Sequence, residues 1–392
     1  MTYSSRLRRN LFLYKLSGFF SGFLLIIPIW VSFSRRFLTF PQMMLLESIA
    51  MSFTVALELP TGALADLIGR RYTVTLGWLL RAIGGFILAF CFDGLSLSVG
   101  FILAAIGDAL ISGADQALIY DSLQELGRKK EMQQVAAKKS LLFQMAIVLA
   151  SFPAGYLYEI WVGLPYFIYA ISQLVTVVLF YLMQEPKIDS EIFTWKNYWR
   201  QTRQGFKELS KNCYVKKLSA FYVLVGGITW STQYFFNQPF ALSVGFSEIE
   251  MGWLFGTIRL INSLIIFKLT NLDKVLTKKR AFIGFPLLMI LCYLPGYWVT
   301  KTSAVLLLAG ATFASSARFD ILGQYTNDEF NSKNRATALS SLNMLVSFLY
   351  ILFMIGFGPV IENYSTQMVY TILGMMSLVL VLPLGVNLAR KH

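Results

Sequence analysis

The stretch Gly62-Ala63-Leu64-Ala65-Asp66-Leu67-Ile68-Gly69-Arg70-Arg71, preceded by Glu58-Leu59-Pro60-Thr61, decides how this chain is read. It is short, carries one acid and two arginines, and lies between two long apolar runs, 41–61 and 72–92. Each run has the roughly 20 residues that an α-helix needs to cross about 30 Å of hydrocarbon. The two glycines suit a tight turn between helices and a close approach of their backbones. Asp66 and the arginine pair can form charge-assisted bonds to neighbouring helix ends.

Working outward, apolar runs of that length recur along the chain. Six fall near 11–33, 41–61, 72–92, 97–121, 139–160 and 163–183, and six more near 218–241, 248–267, 280–299, 302–325, 337–360 and 366–388. Hydrophobic residues make up 56% of the 392 residues and charged ones 14%. Soluble chains carry about a quarter charged residues, so the bilayer is the solvent expected here. The first run is too long for a signal-peptide core and lacks a small-residue cleavage site, so it is read as retained.

The net charge of +13 follows membrane topology rather than a nucleic-acid surface. With both termini cytoplasmic, the inside segments hold 27 of the 34 Lys and Arg, the outside ones only Arg35, Arg36 and Lys301. Lys15, Arg81, Arg259 and Arg318 fall within or at the edges of spans. Cationic residues near spans collect on the cytoplasmic side, and this orientation satisfies that bias. Cys91, Cys213 and Cys292 are scattered and the one histidine is the terminal His392, so no disulfide framework, metal site or other cofactor is expected.

Residues 184–217 form the one long polar stretch and divide the chain into a bundle over 1–183, a cytoplasmic linker, and a bundle over 218–392. In the linker Phe193, Trp195, Tyr198, Trp199 and Phe206 interleave with Lys196, Arg200, Arg203 and Lys207, as in a helix lying at the headgroup layer. The halves are weakly similar. Lys15-Leu16-Ser17-Gly18-Phe19 parallels Lys217-Leu218-Ser219-Ala220-Phe221, and Ser112-Gly113-Ala114-Asp115 parallels Ser315-Ser316-Ala317-Arg318, at offsets of 202 and 203 residues. Repeated bundles are a common plan among secondary transporters.

The opening stretch resembles the cytoplasmic loop signature of the major facilitator superfamily, G-x-L-x-D-x-x-G-R-[RK], in the loop between spans two and three where that signature belongs. The resemblance implies an all-α integral membrane fold of 12 transmembrane helices in two six-helix bundles. It implies a cytoplasmic gate formed by Gly62, Asp66, Gly69, Arg70 and Arg71 with Asp121, the acid at the end of span four; for Arg71, topology alone is an equal reading. The corresponding loop of the second half, Asn271-Leu272-Asp273-Lys274 through Lys278-Lys279-Arg280, keeps acid and base but no glycine. Ala109 stands where many members carry an arginine four residues before Gly113, which departs from the usual proton relay.

Ionisable groups inside hydrocarbon are costly and mark cavities or partners. On one continuous helix Asp108 and Asp115 share nearly one face with Ser112 between their turns. In the family, spans one, four, seven and ten line the cavity, so the resemblance aims this stripe, and Arg318 opposite it, at the substrate path. Either Asp115 and Arg318 pair and separate as a proton or substrate competes for the acid, or they form a permanent bridge. Asp320, two residues from Arg318, points the other way. Arg81 at the depth of Asp108 reads as a structural pair within one half, and Glu47 and Arg259 face each other across the halves or meet water. Phe19, Phe23, Trp230 and Tyr234 are aromatic cavity candidates against a packing alternative that carries more weight.

No nucleophile with a base and no nucleotide-binding loop is found, so a membrane enzyme or ATP-driven pump is disfavoured. The expected activity is secondary transport of a small organic molecule by a monomer in the bacterial inner membrane, driven by the proton gradient. Export by antiport, as in drug-efflux-like members, is favoured; uptake of an anionic nutrient with protons, and lipid translocation, are the alternatives.

Overall fold

The computed structural model describes residues 2–187, 195–269, 277–331 and 335–390. In chain order the helices are α1 (Tyr3–Ser21), α2 (Trp30–Ser34), α3 (Phe40–Ile68), α4 (Arg70–Ala89), α5 (Gly94–Ile111), α6 (Ala114–Glu125), α7 (Met132–Ile160), α8 (Leu164–Tyr181) and α9 (Trp195–Leu209). There follow α10 (Cys213–Ser231), α11 (Asn237–Ser243), α12 (Glu248–Leu269), α13 (Lys278–Tyr293), α14 (Lys301–Ala317), α15 (Gly323–Asp328), α16 (Arg335–Asn363), α17 (Thr366–Met376) and α18 (Leu382–Ala389). Among the described residues there is no strand, and nine stretches are long and apolar enough to cross a membrane. A helix satisfies all its backbone groups internally, which is why such a chain is helical in lipid.

Packing divides the chain into two compact units. Unit 1 comprises residues 1–38, 49–193 and 248–256, and unit 2 comprises 39–48, 194–247 and 257–392. In unit 1, α4 lies against α5 and α8, and α1 against α7 and α8. Small residues set the α4–α5 distance: a Cβ on Gly84 would stand 2.6 Å from the Gly100 carbonyl oxygen. Lipid tails are as apolar as leucine, so such close backbone packing, rather than a hydrophobic drive, holds membrane helices together. In unit 2, α10 packs on α16, and α13 on α14, α17 and α18. The amphipathic α9 buries Thr202, Gly205, Glu208 and Leu209 at helical spacing and lies along α16.

Two expectations about spans are corrected. Span one, expected over 11–33, begins as a helix at Tyr3 and ends at Ser21 with Gly22 as its cap, and the chain turns before α2. Span four is broken: Ser112 leaves the helical region at ψ 122° and Gly113 takes φ +75°, separating α5 from α6. Only glycine enters that left-handed region at no steric cost. The break cancels the argument that a seven-residue spacing puts Asp108 and Asp115 on one face.

Among the described residues, three helices pass through π-type turns, at Thr232–Phe236, Arg318–Leu322 and Ser377–Val381. A proline clashes with the carbonyl four residues before it. Pro239 and Pro383 aim that clash at residues 235 and 379, inside the first and third turns, which gives those two a local cause. The helix that continues from Arg318–Leu322, Gly323–Asp328, holds no proline. A single π-type turn is a frequent mark of a functional site.

Candidate functional site

The loop signature sits where α3 ends and α4 begins. Gly69, at φ +96°, turns the chain, and the backbone N–H groups of Arg70 and Arg71 open α4. Both are taken by one carboxylate, Glu185, at 2.8 and 2.7 Å. A carboxylate at a helix N-terminus satisfies orphan donors and the positive end of the helix dipole together. The Arg70 side chain pairs with Asp121 on α6 and donates to the Ala117 carbonyl. Arg71 donates to the Met183 carbonyl at 2.9 Å and lies over the rings of Tyr72 and Tyr181. The structure thus brings Gly69, Arg70, Arg71 and Asp121 into one network within unit 1. The side chains at Gly62 and Asp66 lie outside the described residues, as do Asn271 through Lys274.

Around this network the end of α8 is tied down again. Asn10 donates to the Gln184 carbonyl and to Ser122, and its own carbonyl accepts from the Gln184 N–H. Arg9 donates to the Leu182 carbonyl. Tyr3 donates to Glu125 at 2.6 Å, and desolvation together with that carboxylate pushes its hydroxyl up to about 12. Glu185 was missed in the sequence because a carboxylate that caps a helix 114 residues away leaves no local spacing to find.

Two intramembrane acids of unit 1 have their own cations. Asp108 pairs with Arg81, which also donates to the Tyr169 hydroxyl at 3.0 Å. Asp115, 8% exposed, is held by Lys139 of α7 at 2.5 Å, and the ammonium also stands 4.2 Å from the Tyr14 ring centroid. Asp115, set against Arg318 in the sequence, therefore has a partner within its own unit, whereas Arg318 belongs to unit 2. Lys139 was missed because it stands at the first residue of an expected span, where it counts as one more cytoplasmic charge. Phe19 and Phe23 pack with each other, ring centroids 6.2 Å apart, and Phe19 meets Phe20 edge-on.

Unit 2 holds the remaining candidates. Glu47 accepts a hydrogen bond from the buried Tyr350 hydroxyl at 3.3 Å. It and Arg259 fall in the same unit and form no ion pair with each other; the first residues of α3 join unit 2 through contacts such as Pro41 with Gly358. The Tyr350 ring meets Trp230 at 5.6 Å, and Trp230 meets Tyr234 edge-on at 5.5 Å. Tyr234, on the first π-type turn, is 60% exposed. Arg318 is buried with its guanidinium 5.3 Å from the Tyr222 ring centroid. The side chain of Asp320 lies outside the described residues. Asn237, next along span seven, is buried, accepting from Tyr370 at 2.6 Å and donating to Thr312.

Residues 11–352 match the family model described as Major Facilitator Superfamily. The uncharacterised MFS-type transporter YxaM of Bacillus subtilis (strain 168) is 23% identical over 233 residues, 58% of this chain, and the match spans only 57% of that relative. Among solved structures, the nucleoside transporter NupG superposes with a TM-score of 0.77 at 16% identity, covering 99% of both chains. A D-xylose-proton symporter does so with a TM-score of 0.70 at 14% identity, covering 97% of this chain and 96% of that one. At these identities the likeness is one of fold.

Proposed function

Because this chain belongs to the major facilitator superfamily and is an integral membrane protein, we propose that it is a secondary active transporter for a small organic molecule. It works by alternating access, and protons couple to it through Glu47. The observation that carries the coupling site is the partner of three intramembrane acids whose side chains the structure describes. Asp108 and Asp115 are held by Arg81 and Lys139, whereas Glu47 accepts from a neutral hydroxyl and makes no ion pair among the described residues. Nearby cations hold a carboxylate in its charged form. A carboxyl about 10 Å along a spanning helix with only a neutral partner is free to exchange its proton.

The Arg70–Asp121 network supports a cytoplasmic gate in unit 1, with Glu185 fastening the linker to it. Both termini are placed in the cytoplasm of a bacterial cell, the bilayer being the inner membrane and the working form a monomer. Export by antiport is the direction suggested by an overall resemblance to drug-efflux-like members and by the aromatic cavity candidates Phe19, Phe23, Trp230 and Tyr234. Uptake of an organic anion with protons is the second reading, and Arg259 favours it. Collapse of the proton gradient raises cellular substrate under export and lowers it under uptake.

Proteoliposomes with an imposed proton gradient and a panel of labelled anions, cations and neutral compounds test the coupling. Parent protein is expected to show gradient-driven flux of at least one compound, and Glu47→Gln to lose it by about tenfold or more while still allowing gradient-independent exchange. Full gradient-driven flux in Glu47→Gln would overturn the assignment.

A further inference from the structure

The linker helix α9 is fastened to unit 2 by one side, and that fixes what its other sides present. The docked side holds Thr202, Gly205, Glu208 and Leu209, all buried. A Cβ on Gly205 would stand 2.4 Å from the Ser341 Oγ and 2.7 Å from the Thr337 carbonyl oxygen, so the α9 backbone lies directly on α16. The Glu208 carboxylate accepts from the Lys211 ammonium at 2.7 Å and from the Asn331 N–H at 3.1 Å. The Leu209 carbonyl accepts from the Ser219 hydroxyl of α10 at 3.3 Å.

These contacts also set the depth of α9. Thr337 and Ser341 are the third and seventh residues of α16, about 3 and 9 Å along that spanning helix from Arg335. Such a depth is that of the headgroup layer flanking the hydrocarbon core. The chain confirms it at the other end of α9, where only residues 210–212 separate Leu209 from Cys213, the first residue of spanning helix α10.

Helical spacing places Arg203 and Lys207, one turn apart, and Arg200, a turn earlier, on the side away from α16, and all three are exposed. The one acid of α9 is Glu208, buried on the docked side, so nothing on the helix itself offsets this basic row. Arg203 and Lys207 make no ion pair among the described residues. Phe206, also exposed, flanks them. A row of cations beside an aromatic ring at headgroup depth is complementary to anionic lipid, whose phosphates meet the cations while the ring sits at the acyl boundary. A soluble acidic partner would have to displace lipid to reach a face at that depth.

From this placement we propose that the outer face of α9 binds anionic phospholipid headgroups of the adjoining leaflet, with Arg203 and Lys207 on the phosphates and Phe206 at the acyl boundary. The site stands on α9 and its seat on α16, and neither the coupling assignment at Glu47 nor the identity of a transported molecule bears on it.

The test is lipid binding by the full-length protein, delipidated in a nonionic detergent and melted over a concentration series of phosphatidylglycerol, with phosphatidylcholine as the zwitterionic control. Phosphatidylglycerol is expected to raise the melting temperature of the parent, less so at higher ionic strength, and phosphatidylcholine to leave it unchanged. The half-effect concentration should rise about tenfold or more when Arg203→Gln and Lys207→Gln are combined. Should that double variant not fold, each single variant carries the test with a rise of about threefold or more. Lys129→Gln with Lys130→Gln, which removes two exposed cations of unit 1, should keep the parental response. The proposal is overturned if phosphatidylcholine stabilises equally, if the α9 variants respond as the parent does, or if the Lys129 and Lys130 variant loses as much. It also falls if poly-glutamate stabilises the parent at a lower concentration of charge than phosphatidylglycerol, which would give this face to an acidic protein.

Discussion

Arg70, Arg81 and Lys139 each neutralise one acid of unit 1, and the three pairs differ in what losing a partner leaves behind. Lys139 and Asp115 have side chains 17% and 12% exposed, so removing one member strands a charge in a poorly solvated place. Lys139→Met is expected to destabilise the protein by about 3–5 kcal/mol, and adding Asp115→Asn to recover most of that loss, read by thermal denaturation in detergent. A double variant no more stable than the single one would mean the ammonium serves Tyr14 rather than Asp115. At the Arg70–Asp121 pair, transport should fall in Asp121→Asn and return in part when the charges are exchanged as Arg70→Asp with Asp121→Arg. Flux in proteoliposomes at matched protein amounts reads this, and an exchanged pair no better than either single variant counts against a direct ionic role. The pairings of Arg70 with Asp121 and of Arg81 with Asp108 were expected from the sequence. Lys139 as the partner of Asp115 and Glu185 as the partner of the Arg70 N–H were not, because Lys139 follows Asp115 by 24 residues and Glu185 follows Arg70 by 115, and no helical periodicity reaches that far.

Elements follow a different logic. Most spans were legible to within a few residues: 163–183 is α8 over Leu164–Tyr181, and 72–92 is α4 over Arg70–Ala89. Hydrophobic length reports a span but not its internal geometry, and that is where the reading of span four failed. A glycine in an apolar run serves close packing as readily as positive φ. At Gly113 the structure decides for positive φ, since a Cβ built there meets nothing within 4 Å. Gly113→Ala is therefore expected to cost about 1–2 kcal/mol from backbone conformation alone, with Gly113→Asn milder. Melting of the two variants checks this, and an alanine variant as stable as the parent would mean the helix runs straight through at little cost. The π-type turns at Thr232–Phe236 and Ser377–Val381 are legible afterwards from Pro239 and Pro383, whereas the one at Arg318–Leu322 has no such local signal.

For the whole molecule, the distribution of lysine and arginine sets an orientation that the native cysteines can test. Cys213 is exposed at the start of α10, on the side assigned to the cytoplasm. A membrane-impermeant maleimide should label it in inverted vesicles and not in right-side-out ones. Cys91, in the turn between α4 and α5, has its thiol pushed up to about 11 by burial and then by Asp93. The thiolate is the nucleophile, so its labelling from the outside should be slow near pH 7 and quicken about tenfold per pH unit up to that value. Labelling of Cys213 from the outside would reverse the orientation. By itself the sequence determined the solvent, the helical class and the family signature, because bilayer thickness and charge bias act on each segment separately and their marks add along the chain. Only the tertiary structure decided that Asp115 meets Lys139, that Glu47 meets a hydroxyl, and that Glu185 meets the first N–H groups of α4. Those are properties of what another helix carries to the same depth, and they depend on a breaking glycine and on packing that one segment read alone does not contain.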